Sequence, residues 1–79
     1  MKLRLKYFAS LADRAGRADE TIDTSAHSPR DVYIEIAPRH GFSFPLERLR
    51  VAVNGALVPW DQALSDGDEI VFLPPVSGG

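Results

Sequence analysis

Leu49-Arg50-Val51-Ala52-Val53-Asn54-Gly55-Ala56-Leu57-Val58-Pro59 is the stretch on which the fold turns. Val51 and Val53 alternate with Arg50 and Ala52, the period of two that a half-buried strand requires. Asn54-Gly55 supplies the two positive-φ residues of a tight hairpin turn. Ala56-Leu57-Val58 then reads as a short return strand, closed by Pro59, which cannot donate to a ladder.

Downstream, Asp66-Gly67 marks a second turn. After it, Ile70 and Phe72 are expected to face inward, with Val71 and Leu73 outward, until Pro74 ends the strand. The remaining residues are Pro74-Pro75-Val76-Ser77-Gly78-Gly79. Two prolines favour extended polyproline geometry and would hold a tail off the body. Gly78 and Gly79 carry no Cβ, so they fit a channel too narrow for other residues. The open α-carboxylate of a terminal Gly79 is ionised at neutral pH and could attack the α-phosphate of ATP. Six extended residues span at most ~20 Å, enough to enter a partner's active site. A frayed end or a linker shares this composition, so the remainder of the chain has to decide.

Upstream, Ser28-Pro29-Arg30-Asp31 has the marks of a helix start: a capping serine, proline at the first helical position and an acid at the positive end of the dipole. Val32, Tyr33, Ile36 and Ala37 share one face, and His40-Gly41 marks the end. Pro38 cannot donate to the Ile34 carbonyl, so a regular helix is expected only to Ala37, followed by an irregular turn. Lys2 to Phe8 alternates, placing Leu3, Leu5 and Tyr7 on one face. Ala9 to Ala15 reads as a short helical turn closed by Gly16. Glu20 to Asp23 is a weak strand centred on Ile22.

Four or five short strands and one main helix give a two-layer α+β domain, with a mixed sheet covered by the helix on one face. The domain is expected over residues 1–73, with 74–79 as its tail. At 79 residues the chain has room for one small core. Its 44% hydrophobic and 25% charged content is that of an ordinary soluble globule. A net charge of −2 speaks against nucleic acid. No apolar run is long enough to span a membrane, and the charged first residues are unlike a signal peptide; a cytoplasmic location is expected. With no cysteine, the chain could not carry sulfur as a cysteine persulfide; for any sulfur chemistry the only obvious attachment point would be the C-terminal carboxyl.

The uncovered sheet face is expected to carry Phe8, Ala52, Val71 and Leu73 among Lys2, Arg4, Lys6 and Arg50, an apolar patch with a basic rim suited to a protein partner. Asp66, Asp68 and Glu69 form an acidic turn too short for a calcium set, and no metal site is expected. His40 is read as complementing the helix dipole and His27 as a loop residue. Trp60 is read as a cover on the core.

The element order with the Gly-Gly end resembles the ubiquitin-like β-grasp fold. It is most similar to the small, sulfur-carrier subunits of molybdopterin synthase. The residues that carry this resemblance are Tyr7-Phe8-Ala9 with Gly16, then Val53-Asn54-Gly55 with Leu57-Val58. Most specific is Leu64-Ser65-Asp66-Gly67-Asp68-Glu69-Ile70-Val71-Phe72-Leu73-Pro74-Pro75-Val76-Ser77-Gly78-Gly79.

The resemblance implies that a ubiquitin-activator-like enzyme uses ATP to adenylate Gly79, and that a sulfur donor converts the adenylate to a thiocarboxylate. The tail, Pro74, Pro75, Val76, Ser77 and Gly78, then threads into the large subunit of a 2:2 heterotetramer. There it gives sulfur to cyclic pyranopterin monophosphate. On this reading the chain binds no cofactor and is no enzyme by itself, because the catalytic side chains belong to the large subunit. Two alternatives use the same chemistry: a protein modifier conjugated through Gly79, and a sulfur carrier of another pathway such as thiamine synthesis.

Overall fold

The structure is a computed structural model and describes residues 1–75. Five strands, β1 (Lys2–Tyr7), β2 (Asp19–Asp23), β3 (Arg50–Val53), β4 (Ala56–Val58) and β5 (Glu69–Leu73), form one sheet in the order β2-β1-β5-β3-β4. β1 and β5 run parallel at its centre; the other pairs are antiparallel. A short helix α1 (Ser10–Ala15) follows β1, and the main helix α2 (Pro29–His40) covers one face. A 3₁₀ turn at Leu46–Arg48 leads into β3. The two-layer α+β arrangement expected from the alternation is the one observed.

The period-two pattern explains the core. Leu3, Leu5 and Tyr7 of β1, Ile22 of β2, Val51 and Val53 of β3, and Ile70 and Phe72 of β5 all point to the helix side and are buried. They meet Val32, Tyr33 and Ile36 from α2, together with Leu11, Phe42 and Leu49. The Asn54-Gly55 turn has φ of 52° and 86°, the two left-handed positions that this dipeptide tolerates. Trp60 stacks on Phe72 with ring centroids 6.1 Å apart and lies 6.2 Å from Tyr33, so it covers the core as expected. Among the described residues no helix is long and apolar enough to cross a membrane.

α2 corrects one expectation. Its start is as read: Ser28 Oγ accepts from the Asp31 N–H at 3.3 Å, with Pro29 at the first position. The helix does not stop at Ala37, however; it continues through Pro38 to His40. Ile34 and Pro38 are both solvent-exposed, so water can take the carbonyl that Pro38 leaves without a donor. The opposite stripe of Val32, Tyr33 and Ile36 stays buried and holds the last turn down. Gly41, at φ 69°, then closes it, with the Phe42 N–H donating to the Ala37 carbonyl at 2.9 Å.

Candidate functional site: the tail root and the open sheet face

β5 is a central strand, held by β1 on one side and β3 on the other. Its last residue, Leu73, is paired with Arg50, and Phe72 is paired with Tyr7. The chain therefore leaves the sheet at Pro74-Pro75 from a point fixed by two ladders. Of the expected tail residues, Pro74 and Pro75 are described and half-buried. Val76, Ser77, Gly78 and Gly79 lie outside the described residues.

Among the described residues no helix or strand is layered over the side of the sheet away from α2. Phe8, just past the Tyr7–Phe72 pair, lines one cleft with Leu73; register places Val71 between Lys6 and Ala52, and Leu57 stands next to Ala52. Phe8 is 52% exposed and Leu57 63%, while Val71 and Leu73 are half-buried. Phe8, Val71 and Leu73 thus lie where the alternation put them. Ala52 is on this face by register, but it is buried. Its methyl is too short to rise between Val71 and Leu57, so it forms the floor of the patch and offers little surface to a partner. Leu57 and Arg48 belong to the same surface and were missed in the sequence. Alternation alone would have added Leu57.

Phe8 owes its exposure to the turn that follows it. Ala9 has φ 51° and ψ −124°, and the Leu11 N–H donates to the Phe8 carbonyl at 3.1 Å. These are the features of a type II′ turn with alanine where glycine is favoured. The turn ends β1 at Tyr7 and leaves Phe8 standing on the open side.

Two clefts flank the tail root. One, about 420 Å³, is lined by Phe8, Leu73, Pro74 and Pro75 with Arg48 and Arg50. The other, about 660 Å³, shares Arg48, Arg50 and Pro75 and extends to Arg30 and Trp60.

The acidic turn is occupied with holding itself together. Asp66 Oδ1 accepts from the Lys2 N–H at 2.6 Å. Asp68 accepts from the Ser65 N–H at 2.8 Å and from Asn54 Nδ2 at 2.9 Å. The Glu69 N–H donates to Asn54 Oδ1 at 2.9 Å. Among the described residues no group of three or more histidines, cysteines or carboxylates is placed to hold a metal ion. His27 lies in a loop and its carbonyl accepts from the Leu64 N–H.

His40 does more than face a helix end. Its Nε2 lies 2.6 Å from Glu20 Oε2, the same oxygen that accepts from the Tyr7 hydroxyl at 2.7 Å. Burial resists ionisation of Glu20, but the hydrogen bonds from Tyr7 and His40, with the charges of His40 and Arg17, outweigh it and lower its carboxyl pKa. Burial and the Glu20 carboxylate push the Tyr7 phenol far above its ordinary range. This cluster ties β1, β2 and the end of α2 together on the helix side, the face opposite the open patch.

The pattern of the ThiS family matches residues 5–79. The chain belongs to the ThiS family. Over all 84 aligned positions, covering the whole of both chains, it is 33% identical to a molybdopterin synthase sulfur carrier subunit from Chlamydomonas reinhardtii. It is 56% identical over 32 residues to the subunit of the same name from Escherichia coli, an alignment that takes in only 40% of either chain.

Solved ThiS-like and ubiquitin-like β-grasp structures share the fold. A putative molybdopterin converting factor subunit 1 from Pyrococcus furiosus superposes with a TM-score of 0.79 at 34% identity, over 96% of this chain and 99% of that one. SAMP1 from Haloferax volcanii gives 0.82 at 27% identity over the whole of both. A chain in the complex of subunits 1 and 2 of molybdopterin-converting factor from Helicobacter pylori gives 0.70 at 25%, again over both whole chains.

Proposed function

We propose that this chain is the sulfur-carrier subunit of a molybdopterin synthase, with the Gly79 carboxyl as its carrying group. The observation that supports it best is the full-length similarity to a sulfur carrier subunit, reaching the Gly78-Gly79 pair. A carboxylate oxygen of Gly79 attacks the α-phosphate of ATP and pyrophosphate leaves. A sulfur nucleophile from a donor then displaces AMP and leaves a thiocarboxylate. The open face, with Phe8, Val71 and Leu73, docks on a large subunit, as a partner surface of its apolar character would. That subunit supplies the catalytic side chains for transfer to cyclic pyranopterin monophosphate. The reading assigns the chain no bound cofactor, a 2:2 assembly and a cytoplasmic place of work.

A second reading is favoured by one observation, the likeness to SAMP1 over the whole chain, whose counterpart from the same organism is described as a small archaeal modifier protein. On that reading Gly79 is joined to lysines of other proteins. Intact-mass spectrometry of the protein purified from its own host separates the two. A mass gain equal to sulfur replacing one oxygen at Gly79 supports the carrier; a ladder of conjugates with no such gain refutes it. Reconstitution is the second check. Deleting Gly79 should abolish molybdopterin formation with the large subunit, and Gly78→Ala should slow transfer while leaving binding nearly unchanged. Full activity of the truncated chain would refute the carrier reading.

A further inference from the structure

The cations of the open face are not equivalent. Lys2 stands opposite Asp23 and Lys6 opposite Asp19 in the β1–β2 register. Arg4 is paired with Glu69 in the β1–β5 register, and Lys6 Nζ lies 3.6 Å from Glu69 Oε2. Arg30, in the larger cleft, is ion-paired with Asp61. Arg50 has only Leu73 beside it in β5. β4 ends at Val58, opposite Val51, so no residue of that strand flanks Arg50. Arg48 ends the 3₁₀ turn just before it. Among the described residues Lys2, Arg4, Arg48 and Arg50 form no ion pair, but Lys2 and Arg4 each have a carboxylate opposite them in the sheet and Arg50 has none.

Both of these arginines line both clefts at the tail root. One of those clefts has Phe8 and Leu73 as its apolar wall. A partner that covers Phe8 and Leu73 therefore also takes Arg48 and Arg50 out of water. An unpaired guanidinium is costly to desolvate. Its planar fork of donors matches a carboxylate in two parallel hydrogen bonds.

We infer that the protein partner docking at the tail root carries an acidic rim whose carboxylates pair with Arg48 and Arg50 around an apolar centre that receives Phe8 and Leu73. This rests on the docking role proposed above and adds the chemistry of the partner's surface. The chain as a whole is net negative, so attraction to an acidic surface has to come from a local cluster of cations, and Arg48 and Arg50 are the ones that line both clefts at the tail root. The arginine pair then sets the orientation in which the tail faces the partner, as complementary charge commonly does.

The test is calorimetric titration of the full chain, its R48Q/R50Q variant and an R39Q control with the purified large subunit from the same organism. Titrations are run at low salt and at about 1 M, where the Debye length is only ~3 Å. Arg39 pairs with Glu35 on α2, in the other layer. The unaltered chain and R39Q should bind alike and weaken with salt. R48Q/R50Q should bind about 30-fold more weakly at low salt, the scale for removing one side of a desolvated charge pair, and should lose most of the salt dependence.

Circular dichroism checks that the variant is folded, as both side chains are exposed. Binding by R48Q/R50Q within about twofold of the unaltered chain at both salts, under half a decade in Kd, overturns the inference and leaves the docking role standing. No binding by the unaltered chain overturns both. Self-association of the chain that R48Q/R50Q abolishes, or equally tight binding to anionic vesicles, names a different occupant and also overturns it.

Discussion

Phe72→Asp and Leu73→Asp are neighbours in one strand with opposite expected outcomes. Phe72 is fully buried. Its ring stacks on Trp60 at 6.1 Å and on Tyr7 at 6.5 Å, and meets Tyr33 edge-on at 5.6 Å. Truncating such a ring to alanine costs about 3–5 kcal/mol. A 79-residue domain has roughly 4–12 kcal/mol in hand, at about 0.05–0.15 kcal/mol per residue. The alanine change alone therefore consumes a large share of the stability, and a buried, unpaired aspartate adds further desolvation cost. Phe72→Asp should not fold.

Leu73 points the other way, into the cleft that Arg48 and Arg50 also line. An aspartate there stays hydrated beside two cations, so the cost to folding should be within about 1 kcal/mol, the range of exposed charge pairs. The same change removes an apolar anchor and should break the complex with the large subunit. Far-UV circular dichroism, urea unfolding and a pull-down with that subunit read all of this. A folded Phe72→Asp that only loses its partner, alongside a Leu73→Asp that melts, would mean that the faces of β5 are assigned backwards.

Glu20 gives a pH prediction. Its carboxyl pKa is lowered in the folded state, so its contribution to stability is present above the ordinary carboxylate range and is lost as pH falls through the folded value. Glu20→Gln should lower the unfolding free energy at neutral pH by the ~1–3 kcal/mol typical of disturbed, largely buried hydrogen bonds, read as a lower urea midpoint, and the gap to the unaltered chain should close in acid; a gap that widens in acid refutes the assignment. Ala9→Gly should raise stability by about 1 kcal/mol, because alanine occupies the glycine position of a type II′ turn; a lower thermal midpoint would show that this turn is not strained by its Cβ.

The sheet was legible because its signals are local and agree with one another. The alternation in β1, β3 and β5, the Asn54-Gly55 turn and the Ser28-Pro29 helix start each follow from neighbouring residues, and each is found where it was read. What the sequence concealed depends on distant partners. The pairing of His40 with Glu20 and Tyr7 joins residues 20 and 13 positions apart, and nothing in the surrounding sequence announces it. Helix continuation through Pro38 depends on which side of α2 faces water, which is settled by packing. The burial of Ala52 depends on the height of its neighbours across three strands. That Lys2, Arg4 and Lys6 each stand beside a carboxylate, and that Arg50 does not, requires the register between strands.

The position of the tail root follows from the same packing. Ile70 and Phe72 anchor β5 to the core, while ladders to β1 and β3 fix its sideways position. The outward residues of that strand, Val71 and Leu73, are held in place by the inward ones. A partner that binds Phe8 and Leu73 therefore grips the point from which the tail departs, and Pro74-Pro75 limits the directions in which it can set off. Beyond Pro75 four residues can reach at most ~14 Å. On the carrier reading, the reacting carboxyl can then work only within that distance of the docked root, and the partner's catalytic groups have to lie inside it. On that reading, core stability and delivery are coupled through β5. A core change that shifts the strand's end without unfolding the domain would misplace the tail, and would lower transfer while leaving the docking residues themselves intact.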